Sequence, residues 1–542
     1  MTELPFASAQ AGFSLVKSRR GRRRSSGLSH CVTLLMGIIT LITFESPAAA
    51  PNLTHLTPAA IAPGKSSALT FSGDNLEGIV DVWTSFACDV TIPNQAVAKP
   101  VEFRTSPEVG TGLGALRLVT TNGLSALQFV LVDPIPSIES ATTNHSLKSA
   151  QSLPRNTAVD GVCEEFRSDF FRFKAKKGER LVIEAVAQRL SSPLDPLLRL
   201  LDSTGRELAF NDDAVGLGSD AKLDVRCPQT GDYFVEIRDN RYGGSARHRY
   251  RLRLGEPLPT PLPFLSGKEL TQLTSTIAAK PSVPETEPNN DANRSQAIPI
   301  PVQVHGAFAK AGDRDVFRFP AKKGEQLVFT GRTRSLGSSS DLYLQLQTTN
   351  GTKLAESNPT GSDEGALTNR FSDAGTYQLI VEELNRNGGP SLNYQLTVEH
   401  QRPGFTASTE ADRISGPAGE ALALEVKVER REYGGPITLD AEGLPPSFKL
   451  ENNVIAAKTN AAKLRIIAPA DLALGDYFPF SLVARATIND SPFAVRVSTM
   501  PALRAAFPAL RNPPLELDGL VTLGVSESKS TNPKPAQKKR RK

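Results

Sequence analysis

The chain has 542 residues, 6% of them aromatic, with 41 glycines, 40 prolines and a net charge of +5. That length holds three to five ordinary domains, and the frequent Gly and Pro suit short strands joined by turns and argue against long helices. The positive charge sits at the ends. Residues 1–48 hold six basic against two acidic residues and 526–542 hold seven against one, which leaves −5 between them, so the high pI is no argument for a nucleic-acid partner.

The N-terminus reads as an export signal over residues 1–48. A basic block, RRGRRR (19–24), precedes an apolar run, CVTLLMGIITLITF (31–44). The run is short for a membrane span, and Ser46-Pro47-Ala48 fits a small-residue cleavage site. Nothing else in the sequence reads as a span, so no stable membrane span is expected after cleavage. The expected location is secreted, periplasmic or cell-surface. Residues 49–135 then carry strand patterns in LTFSGDNLEG (69–78), VWTSF (82–86) and LRLVTTNGLSALQFVLV (116–132).

An internal repeat follows. DFFRFKAKKGERLV (169–182) matches DVFRFPAKKGEQLV (315–328). Further on, Asp195 and the strand after it match Asp341, Gly205 matches Gly351, Gly231 and Tyr233 match Gly375 and Tyr377, and Gly243 and Tyr250 match Gly388 and Tyr394. A period this long means two copies of a whole domain. Within each copy, phenylalanines alternate with polar residues (Phe171/Phe173, Phe317/Phe319), and turn signals such as Asp202-Ser-Thr-Gly205 separate the runs. The expected fold class is all-β, a multidomain chain of β-sandwich or jelly-roll modules. The domains expected are copy one at 139–256, a Pro-rich linker at 257–284, copy two at 285–400, a further β domain at 401–505 and a disordered basic tail at 506–542.

The ordered motifs E-x-E-P-N, D-x-D-x-F-x-F, A-x-K-G-E, L-x-L, G-x-x-L-A and G-x-Y resemble the bacterial pre-peptidase C-terminal domain. This is a β-sandwich of secreted proteins, similar to the collagen-binding modules of bacterial collagenases. Residues 49–135 resemble an immunoglobulin-like domain of the IPT/TIG type, and 401–505 a bacterial immunoglobulin-like fold.

Cys163 and Cys227 stand together in copy one, and Ala309 and Phe371 replace both in copy two. That pattern predicts a Cys163–Cys227 disulfide; the alternative is two separate buried thiols. No H-E-x-x-H, G-x-S-x-G or Walker motif is present, and a non-enzymatic protein is expected.

The candidate site is the stretch PETEPNND (284–291) with Asp313-Arg-Asp315. In an extended segment, residues i and i+2 point the same way, so Glu285, Glu287 and Asn289 converge. Ca²⁺ takes six to eight oxygen ligands. In the resembling modules this linker and the acidic residues of D-x-D bind calcium together, which implies Glu285, Glu287, Asn289, Asp313 and Asp315 as ligands, with Asn290 or Asp291 weaker. The alternative is a solvated linker. Copy one places Ser140, Thr142 and Asn144 there, with Arg167 for Asp313 and only Asp169 kept, so it should not bind calcium at this place. Its Asn211-Asp-Asp213 turn, with Asp195 upstream, is a further acidic cluster, read as solvated. The functional expectation is binding or adhesion to an extracellular protein or polysaccharide. The rivals are an accessory role beside a secreted peptidase and a purely structural envelope role.

Overall fold

The computed structural model describes residues 49–94, 99–267, 270–271, 281–357, 364–389, 391–510, 512–527 and 529–531. The export signal at 1–48 and the basic end beyond 531 lie outside these residues. Within them the regular structure is mostly strand, as the alternating pattern predicts.

The first β body packs the sheet Asn52–Thr57, Ser66–Asp74, Val101–Thr105, Cys88–Thr91 against a second sheet running Ala60–Ile61, Gln128–Val132, Gly112–Thr120, Ile79–Thr84. Leu69, Phe71, Phe103, Leu116 and Val130 fill the space between them.

The repeat forms two sandwiches of the same strand order. The first pairs Ser137–Glu139, Thr157–Val162, Arg249–Leu254, Arg180–Val186 and Lys222–Arg226 in one sheet. Its other sheet is Gln151–Ser152, Asp169–Ala175, Gly231–Asp239, Pro196–Asp202 and Glu207–Asn211. The second sandwich repeats this with Ser282–Pro284, Val302–Ala307, Asn393–His400, Gln326–Arg332 and Ala366–Arg370, then Gln296–Ala297, Arg314–Ala321, Gly375–Glu383, Leu342–Thr348 and Lys353–Ser357. Alternation sets the faces. Phe171, Phe173 and Ala175 are buried while Arg172 and Lys174 are exposed. The second sandwich thus opens at Ser282, inside the stretch expected to be linker.

Two further expectations are corrected. The last β body does not end at 505. Leu520–Val525 is fully buried between Tyr477–Ile488 and Arg413–Gly416 in its larger sheet, and Leu503, Phe507 and Leu517 pack on Trp83 and Phe129 of the first body. The weak periodicity after 505 comes from a strand covered on both faces, which reads as a plain apolar run. The described part of the Pro-rich linker, 257–267, is likewise docked. Leu113 N donates to Pro263 O (2.9 Å), and Leu265 N donates to Leu113 O (2.7 Å).

The Cys163–Cys227 disulfide is not formed; both thiols are free and buried. Strand register gives the reason. Cys163 N bonds His248 O, whereas Cys227 N bonds Glu179 O. With Ile183 opposite Leu254, the two cysteines lie some ten residues apart along the sheet, roughly 30 Å at strand rise, far beyond disulfide reach. Each packs as a small apolar group in the first core, whereas Phe371, at the position of Cys227, is a large core side chain in the other.

Buried charge joins the bodies. Asp133, Arg251 and Arg253 are all buried. Asp133 Oδ2 accepts from Arg253 Nε (2.8 Å) and Arg251 Nη2 (3.0 Å), which ties the first body to the first sandwich. Buried Arg117 pairs with Asp412, tying the first body to the last.

Candidate metal centre

The acidic stretch is built onto the second sandwich by strand pairing. Ser282, Val283 and Pro284 run parallel to Gln303, Val304 and His305. Glu285 N continues the ladder to His305 O (2.8 Å). Gln296 clamps the turn: its Oε1 accepts from Thr286 N (2.8 Å), and its Nε2 donates to Pro284 O (3.0 Å). Beyond the cis Glu287–Pro288 peptide, Asn289 O accepts from Val316 N (3.0 Å). That bond brings the stretch against the strand carrying Asp315.

One carboxylate oxygen from each of Glu285, Glu287 and Asp315 falls within a 4.8 Å group. Glu287 is exposed and Asp315 fully buried. Glu285 is held from both sides, Oε1 accepting from Asn289 Nδ2 (3.0 Å) and Oε2 from Ala307 N (2.8 Å). Glu287 Oε2 accepts from Asn289 N (2.8 Å). Asp315 Oδ2 accepts from Tyr394 OH (2.7 Å). Two buried oxygens, Asp315 Oδ1 and Asn289 Oδ1, have no protein partner. Burial, then the close Glu285 carboxylate, push the Asp315 carboxyl up to about 9, because clustered carboxylates in low dielectric resist ionising together. Gly306 makes this packing possible: a Cβ there would lie 2.3 Å from the Tyr394 ring and 2.5 Å from Glu285 Oε2.

Asp313 stands outside this group. Its Oδ1 accepts from Asn290 Nδ2 (2.8 Å) and its Oδ2 from Ala309 N (2.8 Å), so it positions the loop. Asp291 is used in its own turn, Oδ1 accepting from Asn293 N (2.9 Å). The D-x-D spacing suggested two ligands, but Asp313 lies in the turn before the strand Arg314–Ala321, where i, i+2 alternation does not apply. The oxygen set that converges is therefore one carboxylate oxygen each from Glu285, Glu287 and Asp315, beside the Asn289 side chain, whose Nδ2 holds Glu285. It is all hard oxygen, with two orphaned acceptors, and it fits a cation of the calcium class. Tyr394 and Gly306 were missed as parts of the site; the pairing of Tyr250 with Tyr394 across the repeat was the available signal.

The Asn211–Asp213 turn forms no such group among the described residues. Asn211 Oδ1 accepts from Lys222 N (2.9 Å) and its Nδ2 donates to Asp213 O (3.1 Å). Burial and then Asp213 raise the Asp195 carboxyl.

No family model matches the chain. A 70-residue segment is 37% identical to a probable subtilase-type serine protease of Deinococcus radiodurans, covering 13% of this chain and 9% of that protein's length. Similar solved structures include the pre-peptidase C-terminal domain of a Bacillus anthracis collagenase, at 14% identity and TM-score 0.17, covering 21% of this chain and 100% of the other. Another is the Bacteroides ovatus glucan-utilisation protein SGBP-B, solved with a mixed-linkage heptasaccharide, at 15% identity and TM-score 0.16, covering 65% and 74%. No helix among the described residues is long and apolar enough to cross a membrane.

Proposed function

We propose that this is a non-enzymatic secreted or cell-surface binding protein whose second sandwich is stiffened by calcium. The reading of the site rests on one observation: oxygens of three carboxyl groups, Glu285, Glu287 and Asp315, lie within 4.8 Å of one another with no cationic side chain paired to them among the described residues. A cation at that point neutralises the cluster and accepts Asn289 Oδ1 and Asp315 Oδ1, with Glu285 and Glu287 completing its shell beside water. It pins the segment Ser282–Asn289 to the strand Arg314–Ala321, so calcium is structural. The motif resemblance supports presentation of strand faces and loops to an extracellular protein or polysaccharide, a warrant by analogy.

Calcium should raise the melting temperature of the full chain, and Glu285→Ala with Glu287→Ala should remove the response. Unchanged melting and flat calorimetry at millimolar calcium would sink the site. Pull-down from a bacterial envelope tests the binding role, and turnover in a screen of protein and glycan substrates would refute the non-enzymatic reading. The short segment similar to a subtilase-type protease supports a second reading, an accessory role in proteolysis in trans. Its test is a co-purifying peptidase whose activity depends on this protein.

A further inference from the structure

The segment leading into the first sandwich repeats that of the second nearly bond for bond. Ser140 N donates to Asp160 O (3.0 Å), as Glu285 N does to His305 O. Gln151 makes the same clamp as Gln296, Oε1 accepting from Ala141 N (2.7 Å) and Nε2 donating to Glu139 O (2.8 Å). Phe170 N donates to Asn144 O (2.7 Å), and Tyr250 OH to Asp169 Oδ2 (2.6 Å). Gly161 leaves room for Tyr250 as Gly306 does for Tyr394.

The divergence lies in the ionic groups. Ser140 and Thr142 replace Glu285 and Glu287, Arg167 replaces Asp313, and His145 replaces Asn290. These changes are coupled in space. Asn290 is held by Asp313. With Arg167 in that position and paired to Glu164 (2.9 Å), residue 145 has no such acceptor and turns to Asp169 instead. His145 Nδ1 lies 3.1 Å from Asp169 Oδ1 and 3.3 Å from Ser168 O. A carbonyl only accepts, and so does an ionised carboxylate, so Nδ1 carries the proton whatever the charge of the ring. The atom it reaches, Asp169 Oδ1, is the counterpart of the orphaned Asp315 Oδ1. A site of three carboxylates needs a cation; a site of one needs a single donor.

We infer that His145 occupies, in the first sandwich, the place a cation takes in the second. The chain closes its first lead-in segment with its own imidazole and depends on metal only at the second. The inference rests on the calcium reading of Glu285, Glu287, Asn289 and Asp315.

The experiment uses the full chain, with calcium chloride calorimetry and hydrogen exchange with and without calcium. Wild type should bind one calcium per chain, with exchange slowed at 282–290 and unchanged at 137–145. H145A should speed exchange at 137–145 several-fold and leave both the calcium count and 282–290 unchanged; H145Q, which keeps a donor, should restore part of the protection. S140E/T142E/H145N should raise the count to two and make 137–145 calcium-responsive. Calcium protection of 137–145 in wild type, or H145A exchange equal to wild type there, would overturn the inference. No calcium response at 282–290 would overturn the calcium reading instead, while the H145A arm would still decide whether His145 closes the first segment.

Discussion

The two sandwiches share strand order, a Gln clamp, a Tyr–Asp bond and a Gly under the Tyr ring, yet they bury different charges. The first turns Arg251 and Arg253 into a buried pairing with Asp133 of the neighbouring body. Register places Gln395 and Thr397 of the second at those positions, opposite His305 and Gln303. The second keeps its unbalanced charge inside one domain, as carboxylates without a protein counter-ion. A duplicated fold therefore carries two answers to a buried carboxylate: a protein donor in the first copy and, on the calcium proposal, a group from solution in the second.

The strongest break in this comparison is Asp133→Ala. It removes the carboxylate that two buried guanidinium groups share, leaving Arg251 to Asp160 and Arg253 to Glu184 at 3.7 Å, and should cost about 3 kcal/mol, read by denaturant unfolding, with calcium affinity unchanged. Next is the calcium response itself. At a hundredfold excess over the dissociation constant, calcium should stabilise the second sandwich by about 2.7 kcal/mol, and Glu285→Ala with Glu287→Ala should abolish this where Ser140→Ala has no effect on it. The metal-free protein should also show a pH trend of opposite sign to ordinary acid denaturation. The folded Asp315 carboxyl, near 9, stays protonated where the unfolded one has ionised. Its contribution is fully present below about 4 and is lost as pH rises toward 9, with a slope of at most about 1.4 kcal/mol per unit. Saturating calcium should flatten the trend, which melting curves in chelator and in calcium would check.

Tyr250→Phe and Tyr394→Phe sharpen the likeness between the copies. Each removes one buried hydrogen bond to an aspartate and should cost about 1 kcal/mol, equally in both copies by chemical denaturation. The smallest effect is expected at His55, where Nε2 faces Arg249 Nη2 at 2.7 Å. Burial and then the Arg249 charge lower this histidine to about 4, so the ring is neutral and accepts. Its contribution should be lost as pH falls from about 6.5 toward 4, worth about 1 kcal/mol after discounting for its half-exposure. His55→Gln, which keeps an acceptor, should reduce that acid sensitivity.

Alternation of apolar residues and turn signals is local, so the all-β class, the repeat and the strand faces were legible from the sequence. So was the placing of Glu285 and Glu287 together in one segment, because i, i+2 spacing is local; that Asp315 of another strand meets them was not. Three other things needed the folded chain. Asp313 is diverted to Asn290 and Ala309 by a turn whose geometry no spacing encodes. Cys163 and Cys227 stand at opposite ends of a sheet, a consequence of register between strands far apart in sequence. The strand Leu520–Val525 and the docked proline-rich segment owe their order to surfaces supplied by other bodies.

By itself the sequence determined the fold class, the duplication and which copy lacks the glutamates, because these follow from residue type and short-range spacing. The tertiary structure alone decided that His145 turns onto Asp169, that Asp133 joins two bodies and that Asp315 meets Glu285 and Glu287. Each depends on which buried charge meets which donor, and that is fixed only when distant strands pack.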